Sequence, residues 1–358
     1  MLATDPVLVT GAFGLVGTAV VKQLLADGRR VVATDLDVPA NRKPAAELIE
    51  RGVDVRWADL TKPDQVDELL SNVSPRAIVH LAAIIPPQCY ARRALARAVN
   101  VDATASLVGA ASAQPSPPRF VQASSVAVYG ARNPHTISDV LTADTPPAPS
   151  DNYGAHKVEG EKTVTSSGLD WVVLRLGGVM STEPRLRVDL DSLYFEAAQP
   201  ADGRIQTVDV RDVATAFCAA TTTERVGEVF LIGGDDTHRR RWADLGTAIT
   251  AALGLAGGMP PGRPGKPDSD RDWFATDWMD TARSQQVLRF QQHTWPDTLA
   301  AMGANAGLKR YPLRLAAPFV RGFLRRRSPY YRAPGRYADP WTALQAKWGD
   351  PGPDTATS

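Results

Sequence analysis

The sequence has little cysteine, no excess of charge and no long apolar run. Cysteine occurs only at Cys89 and Cys218 among 358 residues, without the spacing of a metal site. Two thiols are too few for a disulfide framework, which favours a reducing compartment. Lys plus Arg (40) balances Asp plus Glu (39), so overall charge gives no attraction for nucleic acid. We therefore expect two buried free thiols, no metal and no nucleic-acid partner.

Long hydrophobic segments are also missing. No run approaches the roughly eighteen apolar residues that a membrane-spanning helix needs. The chain enters its first strand within a few residues, without a basic and then apolar leader. We expect a cytoplasmic protein. A length of 358 residues allows two domains or one enlarged domain.

The most informative stretch is residues 7–17, which read VLVTGAFGLVG. Its β-branched run ends at a turn with glycines at positions 11, 14 and 17, and a helical pattern follows. Glycine tolerates positive φ and lets the backbone approach a ligand, while free N–H groups at a helix N-terminus attract a pyrophosphate. The stretch predicts a dinucleotide site. The alternative is an ordinary turn that merely needs small residues.

An acidic residue favours the dinucleotide interpretation. The next strand, residues 30–35, ends at Asp35, about twenty residues beyond the turn. A carboxylate there accepts hydrogen bonds from the ribose hydroxyls and repels a 2′-phosphate, so we expect NAD rather than NADP. The cations Arg42 and Lys43 are the argument for NADP.

Apolar runs and helical patterns alternate along the chain. Further strands are expected at residues 53–58, 76–83, 120–125, 169–176, 205–210 and 228–232, and helices at 44–51, 63–70, within 90–112, and at 191–198, 211–222 and 242–253. This alternation predicts an α/β fold with a doubly wound parallel sheet. The carboxyl ends of its strands would bring five residues to one crevice. They are Gly11, Asp35, Asp59, Ala82 and Ser125.

A tyrosine and a lysine lie four residues apart in a helical pattern, as Tyr153 and Lys157. The pKa of a phenol is near 10, so a phenol needs a nearby cation to act as a base at neutral pH. Lys157, one turn further, provides that charge. The alternative is a surface helix that carries both by chance. His80 ends a buried strand and has no metal partner nearby, so we expect a core histidine.

Several motifs together resemble the extended short-chain dehydrogenase/reductase family of NAD-dependent epimerases and dehydratases. They are TGAFGLVG (10–17), HLAA (80–83), SSVAVYG (124–130), YGAHK (153–157), VDVRDVA (208–214) and a late segment at 280–290. The resemblance extends to about residue 303. It implies a Rossmann-type sheet with a small, discontinuous C-terminal substrate-binding domain. The implied boundaries are 1–178 with 205–233 for the NAD domain, 179–204 and 234–305 for the substrate domain, and 306–358 for a basic extension.

The resemblance also implies roles for particular residues. It assigns catalysis to Ser125, Tyr153 and Lys157. It also implies that Ser124, Ser125 and Gly178 contact the substrate. The implied NAD contacts are Gly11, Phe13, Gly14, Leu15, Gly17, Asp35, Asp59, Leu60, Leu81, Ala82, Ala83, Tyr153 and Lys157. Asn100 matches a family asparagine with either a structural or a direct role. Arg175 and Asp212 are expected to fix local contacts rather than to react.

The leading hypothesis is an NAD-dependent oxidoreductase acting on a secondary alcohol or its ketone. The alternative is a nucleotide-sugar epimerase that uses the same residues. Sugar-nucleotide members carry an asparagine where this chain has Gly178, which favours a less charged substrate. A dehydratase is less expected, because Val126 and Ala127 follow Ser125 where an acid is usual. A third interpretation, an NAD-binding sensor, conflicts with the retained tyrosine and lysine.

The C-terminal stretch 309–336 is strongly basic and contains no acid. Its arginines alternate with aromatic and aliphatic residues. We expect a tail wrapped on its own domain with a solvated basic face, and contact with a membrane surface or a partner subunit is the alternative. Pro312, Pro318 and Pro329 argue against one long helix. We expect residues 350–358 to be disordered. The expected partners are a small-molecule substrate and a second subunit in a homodimer.

Overall fold

Parallel strands build the frame of the molecule. The computed structural model describes residues 5–183 and 189–354. The strands are β1 (Val7–Thr10), β2 (Val31–Asp35), β3 (Asp54–Trp57), β4 (Ala77–His80), β5 (Arg119–Ser125), β6 (Trp171–Leu176), β7 (Gly178–Met180), β8 (Arg204–Asp209), β9 (Glu228–Ile232) and β10 (Arg239–Arg241). Seven of them form one sheet in the order β3-β2-β1-β4-β5-β6-β9, and all neighbours in it are parallel.

Helices connect these strands and extend beyond them. They are α1 (Leu15–Ala26), α2 (Pro39–Ile49), α3 (Pro63–Val73), α4 (Gln88–Ala91), α5 (Arg93–Arg97), α6 (Ala103–Ser112), α7 (Asn152–Thr165), α8 (Leu190–Ala198), α9 (Val210–Ala220), α10 (Trp242–Ala252), α11 (Ala282–Leu288), α12 (Trp295–Ala306), α13 (Arg310–Arg327) and α14 (Pro340–Trp348).

The apolar strands bury both faces of the large sheet. Residues of α1 and α9 pack with one set of strand side chains, including Val9 and Val79. Residues of α3 and α6 pack with the other set, including Leu8 and Ile78. Successive strand residues point to opposite faces, so a near-continuous apolar run fits a strand that helices cover on both sides. The doubly wound α/β fold is confirmed.

The strand order reverses next to β1. This strand pairs with β2 on one side and with β4 on the other, and the chain crosses to opposite sides of the sheet from there. A crevice therefore opens at the carboxyl ends of β1 and β4, which is where such sheets bind ligands. Gly11 follows the first of these ends, and Leu81 follows the second.

A small second sheet has the order β10-β8-β7. Strand β8 is antiparallel to β10 and parallel to β7. Strand β7 was not predicted; it follows β6 after a single residue, Gly177, where the sequence indicated only a loss of periodicity. Helices α10 and α12 pack beside this sheet, with Leu245 and Trp295 buried against Ile205.

Two helix predictions need correction. Helix α2 begins at Pro39, not at Pro44, and it includes Pro44 in its interior. Proline there removes one backbone donor, and the helix continues through it. The long helix expected within residues 90–112 is interrupted: α4, α5 and α6 are separate, and a π-helical turn, Ala98–Asp102, precedes α6.

The C-terminal extension is more ordered than the sequence indicated. Helix α13 is continuous through Pro318, against the expectation that prolines would break it. Proline has no N–H, so Pro318 leaves the carbonyl four residues earlier without its helical donor. Because Pro318 is exposed, this carbonyl lies on the solvated side of the helix. Residues 350–354, expected to be disordered, contact the main domain through Arg93 and His156; residues 355–358 lie outside the described part of the chain. Within that part, no helix has the length and apolar character to cross a membrane.

Candidate active site

The glycine turn has the shape of a phosphate cradle. Gly11 has φ +63°, and a Cβ on it would lie 2.8 Å from the Ala82 backbone nitrogen. A Cβ on Gly17 would overlap the Gly11 carbonyl oxygen, so the helix packs directly on the turn. No side chain caps the N-terminus of α1, which begins at Leu15. The first N–H groups and the positive end of the helix dipole are therefore open to a pyrophosphate.

Asp35 joins the turn to the end of β2. Its Oδ2 accepts a hydrogen bond from the Phe13 amide at 3.2 Å, and its Oδ1 accepts one from the Leu36 amide at 2.8 Å. Burial raises the pKa of this carboxyl, and the two amides counteract that effect. The Asn41 side chain is a third hydrogen-bond partner. A carboxylate has about four lone-pair sites, so one remains for a ribose hydroxyl. Arg42 pairs with Asp37 at 2.9 Å.

Loops after β3 and β4 form the remaining edges of the crevice. The Asp59 carboxylate accepts hydrogen bonds from the amide and the hydroxyl of Thr61, at 3.0 and 2.7 Å, and Leu60 is buried. The Leu81 and Ala82 amides donate to Thr10 Oγ1 at 3.2 and 3.3 Å. Ala83 follows them, partly exposed. The structure thus brings all the expected NAD contacts of the first domain to one edge of the sheet.

His80, at the end of β4, is hydrogen-bonded at both ring nitrogens beside this edge of the sheet. Its Nδ1 lies 2.7 Å from Thr10 Oγ1, and its Nε2 lies 3.0 Å from Thr104 Oγ1. Burial, assisted by the charge of Lys157, lowers the pKa of His80 to about 3. The imidazole is therefore neutral and fully bonded, and the prediction of a core histidine is confirmed.

Ser125, Tyr153 and Lys157 meet at the carboxyl end of β5. Asp151 caps α7 by accepting the Gly154 amide at 2.8 Å, and this fixes where the helix presents Tyr153. The Tyr153 hydroxyl is hydrogen-bonded to the Ser125 side chain. Lys157 Nζ lies 5.7 Å from the Tyr153 ring centroid and donates to the Ala123 carbonyl at 2.9 Å.

The protonation of this triad differs from the expectation. Burial raises the pKa of Tyr153 above its ordinary value, and the hydrogen bond to Ser125 offsets only part of that effect. Lys157 is itself buried, which lowers its pKa to about 8, with Glu161 acting in the opposite direction. The resting site therefore holds a protonated tyrosine, ready to donate its hydroxyl hydrogen.

The other two predicted substrate contacts, Ser124 and Gly178, lie in different surroundings. Ser124 neighbours Ser125 on β5 and so faces the opposite side of the sheet, where its buried hydroxyl donates to Glu161 at 2.5 Å. Gly178 begins β7, and a Cβ on it would lie 3.0 Å from the Ile205 side chain. Ser124 is thus held away from Tyr153.

Asn100, Arg175 and Asp212 fix local structure. Asn100 lies in the π-helical turn and exchanges two hydrogen bonds with the backbone of Ile84, at 2.8 and 2.9 Å. Arg175 pairs with Glu161. Asp212 accepts from the amide and Nδ1 of His293, at 3.1 and 2.5 Å. The structural roles expected for Arg175 and Asp212 are confirmed.

Sequence reasoning missed a buried pair beside the catalytic tyrosine. The Tyr90 hydroxyl donates to Asp151 Oδ2 at 2.6 Å, and Asp151 is fully buried. Burial raises the pKa of both groups. Asp151 was recognisable as a helix cap from its place before α7. Its link to Tyr90, sixty-one residues earlier, had no local signal.

Comparison with known proteins agrees with this geometry. A model of the NAD dependent epimerase/dehydratase family matches residues 7–233. The chain belongs to this family. It is an NAD-dependent enzyme of the extended short-chain dehydrogenase/reductase type, which contains dehydrogenases, reductases and epimerases.

Similar proteins within the family differ in their reactions. The D-erythronate dehydrogenase of Cupriavidus necator is 32% identical over 48% of this chain, and the match spans about half (54%) of that enzyme. The UDP-glucose 4-epimerase of Mycolicibacterium smegmatis is 30% identical over 70% of this chain and 74% of its own length. The Thermus thermophilus UDP-glucose 4-epimerase, solved with NAD, has a TM-score of 0.69 at 21% identity and covers 85% of this chain and 99% of its own.

Proposed function

We propose that the chain is an NAD-dependent oxidoreductase that interconverts a secondary alcohol and its ketone. The observation that carries the proposal is the side-chain hydrogen bond between Ser125 and Tyr153, with Lys157 one turn away. In this proposal the glycine turn and Asp35 hold NAD, and Ser125, Tyr153 and Lys157 act on the substrate. Residues 179–204 and 234–305 are assigned to substrate binding, and the expected homodimer remains a prediction.

The residues of the chain orient the substrate and move one proton. Tyr153 and Lys157 would lie beside the nicotinamide, which when bound would supply C4 as acceptor of the hydride from the carbinol carbon. Ser125 donates to the substrate oxygen and aligns it with the tyrosine hydroxyl. Oxidation requires the deprotonated tyrosine, so Tyr153 first releases its own proton to solvent. It then takes the hydroxyl proton while the C–H bond gives up its electron pair, and a C=O bond forms. Reduction reverses each transfer, with the protonated tyrosine as the acid.

Replacing Tyr153 tests this proposal. Tyr153→Phe removes only the hydroxyl group that exchanges the proton, so turnover should fall by at least about a hundredfold while NAD affinity stays nearly unchanged. Tyr337→Phe is a matched control, since Tyr337 is 37% exposed in the C-terminal extension. NADH formation and NAD fluorescence titration measure the two effects. Unchanged turnover in Tyr153→Phe would refute the mechanism.

Nucleotide-sugar epimerisation is the second candidate. It is favoured by the match to the mycobacterial epimerase over 70% of this chain. An epimerase returns the hydride to its substrate, so sugar-nucleotide turnover without net NADH would identify it and exclude net oxidation. Stoichiometric NADH release identifies the oxidoreductase.

We further propose that α13 binds an anionic lipid surface. Three apolar side chains of this helix, four residues apart, point away from the protein: Leu315 is 82% exposed, Phe319 80% and Phe323 44%. The helix contains no acid, and Arg321, Arg325 and Arg326 are exposed on it. Arg321 and Arg325 also border a cavity of about 980 Å³. An apolar stripe with arginines beside it suits insertion among anionic headgroups.

Vesicle flotation tests the lipid proposal. The full chain should float with phosphatidylserine vesicles and remain behind with phosphatidylcholine vesicles, and Leu315→Ser with Phe319→Ser should abolish flotation. Leu95→Ser, at a position 42% exposed on α5, is the control. The lipid proposal is wrong if the full chain does not bind vesicles but forms a dimer that these two substitutions abolish. The apolar stripe would then bind a second copy of the chain.

A further inference from the structure

A large cavity lies between α8, α10 and α13. Its volume is about 980 Å³, and residues 259–263 and 328–332 complete its wall. Most of this wall lies beyond residue 233, where the match to the family model ends. The cavity is therefore built mainly from parts of the chain that the family resemblance does not explain.

Helix α8 separates this cavity from the catalytic tyrosine. Leu193, Glu196 and Ala197 line the cavity. Phe195 packs instead against the cluster that includes Tyr153. Residues three and four apart share a face of a helix, so the three lining residues lie together and Phe195 lies roughly opposite them. The cavity is a second site, outside the catalytic cleft.

Arginine dominates the charge of the wall. Two acids, Glu196 and Asp244, line the cavity, whereas six arginines do: Arg263, Arg321, Arg325, Arg326, Arg327 and Arg332. Arg321 and Arg325 lie one turn apart on α13 and make no ion pair within the described part of the chain. Their guanidinium groups remain available, and the planar fork of such a group matches the oxygens of a phosphate.

Arg263 is a positive charge that is fixed on the wall. Its Nη2 donates to the carbonyls of Tyr330 and Ala333, at 3.2 and 2.7 Å, and its Nη1 donates to the Pro334 carbonyl at 3.0 Å. The guanidinium carbon also lies 4.8 Å from the Tyr330 ring centroid. Because carbonyls and rings carry no net charge, these contacts hold the arginine without neutralising it.

Two polar atoms of the lining residues lack partners. Gln199 is only 2% exposed, and its Oε1 has no hydrogen-bond partner among the described residues. The same is true of the buried Nε1 of Trp242. Buried polar atoms are usually paired, and a hydroxyl group can donate to the first atom or accept from the second. These atoms favour a ligand with hydroxyl groups.

We propose that this cavity binds a phosphorylated polyol, with phosphate on Arg321 and Arg325 and a hydroxyl group on Gln199 Oε1. The excess of arginines over acids favours more than one phosphate. Free sugar bisphosphates and the headgroups of phosphorylated inositol lipids share this chemistry. The site does not depend on the reaction assigned to Tyr153.

Calorimetry on the NAD-loaded full chain tests the phosphate contacts with fructose 1,6-bisphosphate. NAD occupies the glycine turn, so the probe reports on the cavity. Arg321→Ala with Arg325→Ala should weaken binding about tenfold or more. The control is Arg51→Ala with Arg225→Ala, which removes two exposed arginines elsewhere and changes the net charge equally. No binding to the unmodified protein, or equal losses in the two double variants, would overturn the proposal.

Gln199→Leu tests the hydroxyl contact. It removes Oε1 and should weaken fructose 1,6-bisphosphate, while pyrophosphate, which has phosphates but no polyol, should bind as before. Unchanged affinity for fructose 1,6-bisphosphate, or equal weakening of both probes, would refute the role of Gln199.

Vesicle flotation separates the two sources of the ligand. The variant Leu315→Ser with Phe319→Ser removes the outward apolar stripe of α13 and should bind fructose 1,6-bisphosphate unchanged; loss of that binding would refute a separate cavity. A lipid headgroup is the ligand if this variant floats with phosphatidylcholine vesicles containing phosphatidylinositol 4-phosphate and adding Arg321→Ala with Arg325→Ala abolishes flotation. Binding of fructose 1,6-bisphosphate without flotation supports a soluble ligand.

Discussion

Arg175 donates hydrogen bonds from Nε and Nη2 to the two carboxylate oxygens of Glu161, at 2.9 and 2.7 Å. Both side chains are buried, with exposures of 6% and 9%. Glu161 lies one helical turn after Lys157 and also accepts the Ser124 hydroxyl. Glu161 therefore holds two strands against the helix that carries the catalytic lysine: β6 through Arg175, and the strand that ends at Ser125 through Ser124.

Breaking this pair should be costly. Arg175→Met leaves the Glu161 carboxylate buried without its cation, which should lower the free energy of unfolding by about 3–5 kcal/mol. Adding Glu161→Leu should recover much of the loss. Arg283→Met removes an exposed pair with Glu228 and should cost under about 1 kcal/mol. Urea unfolding measures all three, and similar losses for Arg175→Met and Arg283→Met would contradict the argument.

The buried Lys157 ammonium should make stability depend on pH. Its pKa falls from 10.5 to about 8 on folding, so below pH 8 both states are protonated and the folded state carries the full cost of burial. Between pH 8 and 10.5 the folded amine is neutral while the unfolded one still binds a proton, so stability rises with pH. Relative to Lys157→Met, the unmodified protein should gain on the order of 3 kcal/mol across this window.

Denaturant unfolding at pH 7.5 and 10.5 checks the Lys157 prediction. Lys22→Met, at an exposed position of α1, corrects for the loss of a lysine elsewhere. A stability difference between the unmodified protein and Lys157→Met that is the same at both pH values would show that burial does not depress this pKa.

Gly17 should tolerate no side chain. A methyl group there would overlap the backbone of Gly11, so Gly17→Ala must displace α1 from the turn. We expect NAD affinity to fall more than about tenfold and the melting temperature to drop. Gly109→Ala, in open space on α6, should instead stabilise the protein by about 1 kcal/mol. Thermal unfolding with and without NAD separates the two outcomes, and an NAD affinity retained in Gly17→Ala would exclude the turn as the cofactor cradle.

Asp35 should set the cofactor preference. Asp35→Ala removes the ribose acceptor and the negative charge, so NAD affinity should fall about tenfold or more and the preference over NADP should relax. Asp35→Asn keeps an oxygen for the Phe13 or Leu36 amide and reports whether the loop stays in place. Asp64→Ala, near the start of α3, is the control. Equal NAD and NADP affinities of the unmodified protein would contradict this assignment.

Local patterns were sufficient for the first domain. The glycine turn, Asp35 and the buried runs are each encoded within a few neighbouring residues, because glycine geometry and strand burial are properties of short segments. The same holds for Tyr153 and Lys157, whose spacing places them on one helix face. The opposed orientation of Ser124 and Ser125 was also implicit in the alternation of a strand, although both were assigned to the substrate.

Contacts between distant segments were not predictable in this way. Nothing near Tyr90 indicates that it binds Asp151, and nothing near residue 354 indicates that it binds Arg93 and His156. Helix α13 also survives Pro318, because the lost bond costs less where solvent replaces it. The raised pKa of Tyr153 follows from burial, which depends on the packing of the whole cleft.

The docking of the tail has a consequence for biosynthesis. The Asn152 amide and the Arg93 guanidinium acquire their partners only in residues 350–354, about 200 and 260 positions later in the chain. A ribosome-bound chain can complete the large sheet well before those residues emerge, but the catalytic helix then lacks its final contacts. We therefore expect a nascent chain to bind NAD before residues 350–354 emerge and complete the contacts of the catalytic helix.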